Sequence, residues 1–169
     1  MARVSREAAA AHRAAIVRAA GRLFRARGFE RVGVAEITRE AGLTHGGFYG
    51  HFASKEALAA EALTAAFAES RARLDEGTLE HWVKGYLSRS HRDHPESGCP
   101  IPSLAADVTH GCQAVRGAFA AGLEMLTDAV AERLADLAEG DRGARATALV
   151  ALMVGGMGLA RPLAAIDRA

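Results

Sequence analysis

Apolar positions recur along this chain with a helical period and almost never alternate in the period of two that marks a strand. The first helical segment starts near Ser5, a good N-cap, and its buried face is formed by Ile16, Ala19, Ala20, Leu23 and Phe24. Arg18, Arg22 and Arg25 lie off that face, and Gly28 is placed to end the helix. Because alanine and leucine dominate the periodic segments, the pattern predicts an all-α protein.

Two short helical segments follow, at residues 34–40 and 44–51, with a three-residue turn between them. Such a turn needs a small residue where the helices cross, a residue that tolerates positive φ, and an apolar wedge. Ala41, Gly42 and Leu43 supply these in order. The spacing therefore predicts a helix-turn-helix, after which Ser54 caps a long helix over residues 55 to about 75.

The middle of the chain contains the only stretch that we expect to be a substantial loop. Thr78 caps another helix, but the helical pattern breaks over residues 92–102. Pro95, Pro100 and Pro102 fall within that stretch, and proline is excluded from a helix interior. A short helical piece at residues 103–108 is predicted to follow the loop.

The last third of the sequence predicts two long helices. The first has an apolar seam made by Phe119, Leu123, Leu126, Val130, Leu134 and Leu137, and Gly140 is placed to end it. The second, over residues 142–161, is apolar nearly all round and has a stripe of small residues at Ala148, Ala151, Gly155 and Gly158. Such a helix needs cover on more than one side, so we expect a second subunit to pack there in a symmetric homodimer.

Charge is distributed unevenly although the whole chain of 169 residues has a net charge of only +1. Residues 1–56 hold 10 basic and 5 acidic side chains, whereas residues 57–169 hold 11 and 15. The cationic first third is typical of a module that faces a polyanion. Two cysteines cannot build a disulfide framework, and we expect no signal peptide, no cofactor and a cytoplasmic location. The apolar run at residues 146–160 is shorter than the ~20 residues that span a bilayer.

The first 60 residues resemble the DNA-binding domain of TetR-type transcriptional regulators. The resemblance covers about residues 10 to 60 and rests on Gly28-Phe29, Val34-Ala35-Glu36-Ile37, Ala41-Gly42-Leu43-Thr44, Gly46-Gly47-Phe48-Tyr49, His51-Phe52 and Ser54-Lys55-Glu56-Ala57-Leu58. It implies a three-helix helix-turn-helix DNA-binding domain at residues 1–54 and a helical effector-binding and dimerisation domain at residues 55–169. It also implies a regulator and not an enzyme.

By the same resemblance, residues 44–51 form the recognition helix that enters the major groove. Thr44 and His45 would hydrogen-bond base edges, while Gly46 and Gly47 would let the backbone approach the DNA closely. The resemblance also implies that Tyr49, His51 and Lys55 contact phosphates, because they match family positions with that role.

Two positions depart from the family pattern. Gly33 stands where a serine or threonine usually caps the second helix, and Ala35 stands where a base-reading side chain can occur. We expect Arg39, together with an N-terminal arm carrying Arg3 and Arg6, to compensate for these losses.

The later part of the chain offers candidates for an effector site. Trp82, Tyr86, Phe67 and Met125 could line a pocket between helices, although aromatic residues at helical spacing are more often plain core. The run from Cys99 to Asp107 resembles the sensing domain of one branch of these regulators, without naming a ligand.

Alternative chemistries are weaker. Five soft ligands lie close in sequence, at His91, His94, Cys99, His110 and Cys112, but their spacing fits no standard zinc site, so no metal is predicted. A thiol switch would need an exposed thiolate. A small thiol enzyme using Cys99 or Cys112 with His110 is the best enzymatic alternative, but the chain has no phosphate-binding glycine loop, nucleophile elbow or HExxH motif.

We therefore expect a homodimeric repressor that presents two recognition helices about 34 Å apart to a palindromic operator of double-stranded DNA. A small-molecule effector would favour a conformer with the wrong spacing and so release the DNA. The long helix that begins at Lys55 is the expected lever. A constitutive DNA-binding dimer without ligand and a metal or thiol sensor remain as alternatives.

Overall fold

The computed structural model describes residues 6–135 and 138–166, apart from the side chains of residues 45 and 165. Within these ranges the chain is helical without any strand, so the all-α prediction is confirmed. The elements are α1 Arg6–Arg27, α2 Val34–Glu40, a single 3-10 turn His45–Gly47, α3 Lys55–Asp75, α4 Leu79–Tyr86, α5 Arg89–Asp93, a second 3-10 turn Pro95–Ser97, α6 Ile101–Thr109, α7 Gln113–Glu132 and α8 Glu139–Ile166. Ser5, Arg3 and Leu137 lie outside the described residues.

The first helix buries the face that its spacing predicts. Ile16, Ala20 and Phe24 are almost completely enclosed. Gly28 has a φ of +82°, and its N–H donates to the Phe24 carbonyl at 2.7 Å, which ends the helix as expected. The Phe29 ring then packs edge-on against Phe24, with centroids 5.1 Å apart. The start of the chain is thus fixed in a sharp corner at residues 28–29.

The turn after α2 also has the predicted geometry. Gly42 adopts a φ of +72°, and the Leu43 N–H donates to the Thr38 carbonyl at 2.8 Å. Ile37 and Phe48 are fully buried on its two sides. Gly33 offers no side-chain cap at the start of α2, which is the departure noted in the sequence.

The expected recognition helix over residues 44–51 is wrong in its extent, because only the 3-10 turn His45–Gly47 forms there. Glycine costs about 1 kcal/mol relative to alanine in a helix, and Gly46, Gly47 and Gly50 all fall in this stretch. The backbone hydrogen bonds are short-range: Gly47 N–H donates to the Thr44 carbonyl at 3.0 Å and His51 N–H to the Phe48 carbonyl at 2.9 Å. This segment is therefore a chain of tight turns.

The long helix α3 forms the centre of the molecule. The Ser54 hydroxyl accepts from the Ala57 N–H at 3.1 Å, which confirms the predicted cap. The helix packs against α1 on one side and most extensively against α7 on the other. Gly122 permits the close approach of α7, because a Cβ at that position would overlap the Phe67 ring.

The segment predicted as a loop, residues 92–102, is largely ordered into helical turns. α5 reaches Asp93, Pro95 begins the second 3-10 turn, and Pro102 lies in the first turn of α6. Proline is tolerated there because the first N–H groups of a helix have no intrahelical acceptor. The loop prediction was wrong because it treated these prolines as interior positions.

The end of α7 and the start of α8 also differ from the prediction. α7 ends at Glu132, where the N–H groups of Arg133 and Leu134 form i to i−3 bonds of 3.1 Å that tighten the last turn. Gly140, expected to end that helix, lies in the first turn of α8. Among the described residues, α8 alone has a stretch long and apolar enough to cross a membrane, at Glu139–Ala164.

The two sides of α8 have different surroundings. Ala146, Val150, Met153 and Met157 are buried against the rest of the chain. The large apolar side chains on the other side are exposed, at Leu152, Leu159, Leu163 and Ile166. Gly155 and Gly158 lie in open space, since a Cβ at either position would meet no atom within 4 Å outside the helix itself. We call this exposed side the outer face of α8.

Candidate nucleic-acid interface and ligand cavity

The residues proposed to contact DNA cluster around the 3-10 turn. Arg39, Thr44 and Gly46 are exposed, and Tyr49 has 65% of its surface accessible. The fully buried Phe48 anchors the segment, and its ring meets that of Tyr49 edge-on with centroids 5.1 Å apart. The turn therefore presents polar groups outward while one aromatic ring holds it to the core.

The residues from the end of the 3-10 turn to the start of α3 provide a second part of this surface. Gly47, His51 and Lys55 are partly buried, and the His51 ring lies 6.4 Å from that of His12 on α1. The backbone N–H at Glu56 and the Ser54 hydroxyl hold the pKa of the Glu56 carboxyl below its usual value. The N-terminus of α3 thus favours negative charge, as expected for a position near phosphate.

Ion pairs inside the N-terminal region show which cations are available. Four arginines pair with glutamates, in Arg13–Glu61, Arg22–Glu40, Arg25–Glu69 and Arg27–Glu36. Within the described residues, Arg6, Arg18, Arg31, Arg39 and Lys55 have no such partner. The positive surplus read from the sequence therefore resides on these side chains.

Arg25 is not on the solvent-facing side, although its position off the apolar stripe suggested that it was. Only 5% of its surface is exposed. Its Nη1 pairs with Glu69 of α3 at 3.0 Å, and its Nε donates to the Glu96 carbonyl at 3.0 Å. A buried arginine needs such partners, so it ties the end of α1 to the rest of the chain.

A cavity of about 300 Å³ lies between the end of α3, α4 and the segment around the second 3-10 turn. We call it the main cavity. Its wall includes Ser70, Arg73, Glu76, Trp82, Tyr86, His91 and Cys99. Trp82 and Tyr86 form an aromatic side, with ring centroids 5.6 Å apart. The volume lies at the lower end of the range for small-molecule sites.

His91 closes one side of the main cavity and uses both ring nitrogens. Its Nε2 accepts from the Cys99 N–H at 2.9 Å, so Nδ1 carries the proton and donates to the Tyr86 carbonyl at 2.7 Å. Burial lowers the pKa of this histidine, in keeping with a neutral ring. His91 is therefore a structural clasp between α4 and the segment before α6.

Tyr86 and Cys99 are buried beside this clasp. Burial raises the pKa of both groups, so each holds its proton at neutral pH. The Tyr86 hydroxyl interacts with the weakly hydrogen-bonding Cys99 thiol and has no N or O partner within hydrogen-bond distance, and the buried Nε of Arg161 also lacks a partner. Tyr86 belongs to the wall of the main cavity, whereas Arg161 does not.

The structure separates the four effector candidates. Trp82 and Tyr86 line the main cavity, whereas Phe67 and Met125 do not. Phe67 is fully buried where α3 meets α7 and stacks edge-on against Phe119, and Met125 is a half-buried side chain of α7. Helical spacing marks an inward side chain without showing whether it meets another helix or a gap. For the same reason, helical spacing does not identify Ser70 and His91 as cavity residues.

The five possible soft ligands are not gathered into one site. In the described part of the chain, no group of three His, Cys, Asp or Glu side chains is placed to hold a metal ion. Cys99 lines the main cavity, whereas His110 and Cys112 line a second cavity of about 250 Å³ beside Phe29 and Lys55. Cys112 is exposed and Cys99 is buried.

Helix α6 links the main cavity to the corner at residues 28–29. Cys99 and Pro100 lead directly from the cavity into α6. At the other end of α6, the Asp107 carboxylate accepts from the Phe29 N–H at 2.9 Å. A Cβ at Gly28 would overlap that carboxylate, so only glycine fits the contact. No pattern in the sequence indicates this pairing between residues far apart in the chain.

The N-terminal segment matches a known family. Residues 16–62 match the family model for bacterial regulatory proteins of the tetR family. This segment extends from the middle of α1 into α3 and contains α2 and the 3-10 turn. No curated protein matches the chain by sequence.

Similar solved structures cover most of the chain. The crystal structure of E. coli NemR in its reduced form is 25% identical, with a TM-score of 0.73, over 94% of this chain and 89% of that chain. A TetR-family transcriptional regulator from Agrobacterium tumefaciens is 21% identical, with a TM-score of 0.76, over 90% and 88% of the two chains. AibR in complex with isovaleryl coenzyme A and operator DNA is 17% identical, with a TM-score of 0.56, over 85% and 84%. The likeness therefore includes the helices beyond residue 62.

Proposed function

We propose that this chain is a DNA-binding transcriptional regulator of the TetR type, as the match of residues 16–62 to the tetR family model supports, and that it is a repressor released from its operator by a small-molecule effector. The observation that carries the proposal is α6, which runs from the main cavity to the Asp107 contact with Phe29. A ligand in the cavity can shift the start of α6. Because the far end of α6 contacts Phe29, that shift can reach the DNA-binding region. In this proposal the chain catalyses no reaction and binds no metal or cofactor. Its location is cytoplasmic.

In this proposal, residues 1–54 read DNA and residues 55–169 bind effector and dimerise. Thr44 and His45 contact base edges, and Gly46 and Gly47 allow the backbone to approach the groove. Phosphate contacts come from Arg39, Tyr49, His51 and Lys55. The exposure of Arg39, Thr44 and Tyr49 supports these roles.

The outer face of α8 supports the proposed homodimer. Leu152, Leu159, Leu163 and Ile166 each leave more than half of their surface exposed. Only 22% of the most apolar window of this helix is buried within one chain. A second copy would cover the same face around a two-fold axis, and the small residues at Gly155 and Gly158 would let the two helices approach closely. The dimer would present two copies of the 3-10 turn to a palindromic operator, about 34 Å apart.

The coupling mechanism follows from the two contacts that hold the end of α1. Asp107 accepts from Phe29, and the Glu96 carbonyl accepts from Arg25. Glu96 lies between the cavity residues His91 and Ser97, and Asp107 lies in α6, which follows them. An effector that favours a different position of this segment would shift the DNA-binding region, by as much free energy as its affinities for the two states differ. In this proposal, α6 as well as α3 transmits the effect of the ligand to the DNA-binding region.

A thiol-modifying electrophile is a second candidate effector, favoured by the position of Cys99 on the cavity wall. The similar NemR structure is of a reduced form. The raised pKa of the Cys99 thiol opposes this chemistry, because the thiolate is the nucleophile. A Cys99→Ser variant separates the two candidates: it abolishes a response to electrophiles and preserves a response to a ligand bound without covalent chemistry.

The DNA-binding part of the proposal can be tested without knowing the operator. The purified protein is passed over sheared genomic DNA of its source, and the retained fragments are sequenced. We expect enrichment of a few palindromic sites, lost in a Tyr49→Ala, Lys55→Ala double variant. A Lys84→Ala variant, altered on the exposed side of α4, serves as a matched control. Equal enrichment by the double variant would remove Tyr49 and Lys55 from the interface.

The coupling part needs an operator and an effector from such screens. An Asp107→Ala variant should still bind both, but the effector should change its operator affinity much less than in the wild type. Asp107→Asn keeps an acceptor oxygen for Phe29 and should preserve more of the coupling. Undiminished coupling in Asp107→Ala would rule out this route.

A further inference from the structure

Two histidine rings meet beside the proposed DNA-binding turn. His12 of α1 and His51, which precedes α3, are both partly buried, and their rings meet edge-on with centroids 6.4 Å apart. His51 is one of the proposed phosphate contacts, whereas His12 lies outside the segment that matches the family model and has no role assigned by any motif. The contact therefore brings a side chain of α1 to the edge of the proposed interface.

Neither imidazole has a partner within the fold other than the other ring. Among the described residues, the histidine that forms an ion pair is His94, and the side chains of His12 and His51 make no hydrogen bond. Their ring nitrogens are not sealed from solvent, unlike the Nε of Arg161. In the same part of the chain, no third His, Cys, Asp or Glu joins them to form a metal site. The two rings can therefore offer their nitrogens to a group outside the chain.

The charges around the two rings favour a negative partner. The charged groups that flank them are Arg13 on α1 and Lys55, Glu56 and Glu61 on α3. Arg13 and Glu61 pair with each other, so their charges offset. Lys55 has no carboxylate partner among the described residues, and the backbone at the start of α3 stabilises the negative charge of Glu56 enough to lower the pKa of that carboxyl. No carboxylate in the described ranges lies within ion-pair distance of either imidazole.

DNA phosphate is the anion that this surface meets in the proposed complex. Imidazole changes its charge between about pH 5 and pH 8, and a phosphate beside it stabilises the charged form. From the adjacent, unpartnered rings, we propose that His12 and His51 together bind a backbone phosphate of DNA as protonated donors, so that binding takes up protons from solvent and strengthens as the pH falls. Without a phosphate, two charged rings in contact would repel each other. This inference rests on the proposed DNA-binding function and adds α1 to its interface.

A DNA duplex of random sequence tests the inference without knowledge of the operator, because phosphate contacts form with any sequence. The intact protein is titrated into the fluorescein-labelled duplex at pH 6 and pH 8 over a series of salt concentrations. His12→Gln should bind about ten-fold more weakly than the wild type at pH 6, with a salt dependence lower by about one phosphate contact, and equally well at pH 8. His12→Arg keeps a positive charge at both pH values and should bind tightly at both. His81→Gln, the same change on the exposed side of α4, is the matched control and should follow the wild type.

A second measurement counts the protons directly. Calorimetry in two buffers of different ionisation enthalpy gives the proton uptake on binding the duplex, which should be lower in His12→Gln than in the wild type at pH 7. His45 of the 3-10 turn is another imidazole of the proposed interface, so the share of His12 is read from this difference.

The outcomes separate the inference from the broader function. Equal pH dependence in His12→Gln and the wild type, or equal proton uptake, would overturn the role of His12 and leave DNA binding intact. Absence of duplex binding by the wild type at both pH values would refute the DNA-binding function and the inference with it. Thermal unfolding at both pH values should show His12→Gln to be as stable as the wild type, since a partly exposed ring without a hydrogen bond contributes little.

Discussion

The segment at residues 44–51 and the start of α3 at residues 54–58 were both predicted as helix, yet only the second forms one. The first contains Gly46, Gly47 and Gly50 and forms a 3-10 turn held by the buried ring of Phe48. The second has the Ser54 cap, a run of good helix formers and an extensive partner in α7. The comparison shows that the proposed DNA-reading element depends on one anchor and its surroundings, while α3 has intrinsic and tertiary support together.

The largest expected effect comes from removing the anchor of the turn. Phe48→Ala should lower the free energy of unfolding by about 3 to 5 kcal/mol, the usual cost of deleting a buried phenylalanine ring. Chemical denaturation measures it. Tyr49→Ala is the control, since that neighbouring side chain is exposed and should change stability by less than about 0.5 kcal/mol. Equal losses in the two variants would mean that the turn is not held by Phe48.

A smaller effect is expected at the cap of α3. Ser54→Ala removes the acceptor of the Ala57 N–H and should cost about 1 kcal/mol. Ser54→Asp keeps a capping oxygen and should retain most of the stability. Thermal unfolding of the three proteins checks this, and a Ser54→Ala protein as stable as the wild type would show that α7 alone secures the start of α3.

A substitution that raises the helix propensity of the 3-10 turn tests the same comparison in the opposite direction. A Cβ at Gly46 meets no atom within 4 Å and its φ is not positive, so alanine fits there. Gly46→Ala should raise the free energy of unfolding by about 0.5 kcal/mol, chiefly by restricting the unfolded chain. It should weaken operator binding if the backbone approaches DNA at this position. Unchanged affinity would place Gly46 away from the groove.

The smallest expected effect is a pH dependence at the start of α3. The folded protein holds the pKa of Glu56 below its usual 4.5, so this carboxylate stabilises the fold above that value. The contribution disappears as the pH falls through the folded pKa. Because Glu56 is largely exposed, we expect only a few tenths of a kcal/mol. Glu56→Gln should be slightly less stable than the wild type at pH 7 and equal to it at pH 2. A difference that persists at pH 2 would exclude this cause.

The local features of the fold were readable because each depends on neighbours in sequence. The bounds of α2, the positive φ of Gly42 and the cap at Ser54 follow from side-chain size, backbone freedom and a hydroxyl at the right offset. Even the errors have local causes: Pro102 is harmless in a first turn, and Gly140 lies within the start of α8.

The candidate sites were predictable to different degrees. The DNA-facing residues form a compact stretch of sequence, so a motif locates them. The main cavity combines Ser70, Trp82, His91 and Cys99 from separate elements, and helical periodicity cannot distinguish an inward side chain beside a void from one packed into a neighbouring helix. Phe67 and Met125 show the consequence, because both point inward and neither lines the cavity.

By itself, the sequence determined the helical class, the helix-turn-helix spacing and the concentration of positive charge in the first third of the chain. These properties depend on composition and on residues a few positions apart. Only the tertiary structure decided that Arg25 is a buried tie, that Asp107 holds the corner at Phe29, and that His91 joins the Tyr86 carbonyl to the Cys99 N–H. Hydrogen bonding and burial across dozens of residues depend on which surfaces meet after folding, and a one-dimensional pattern carries no record of that meeting.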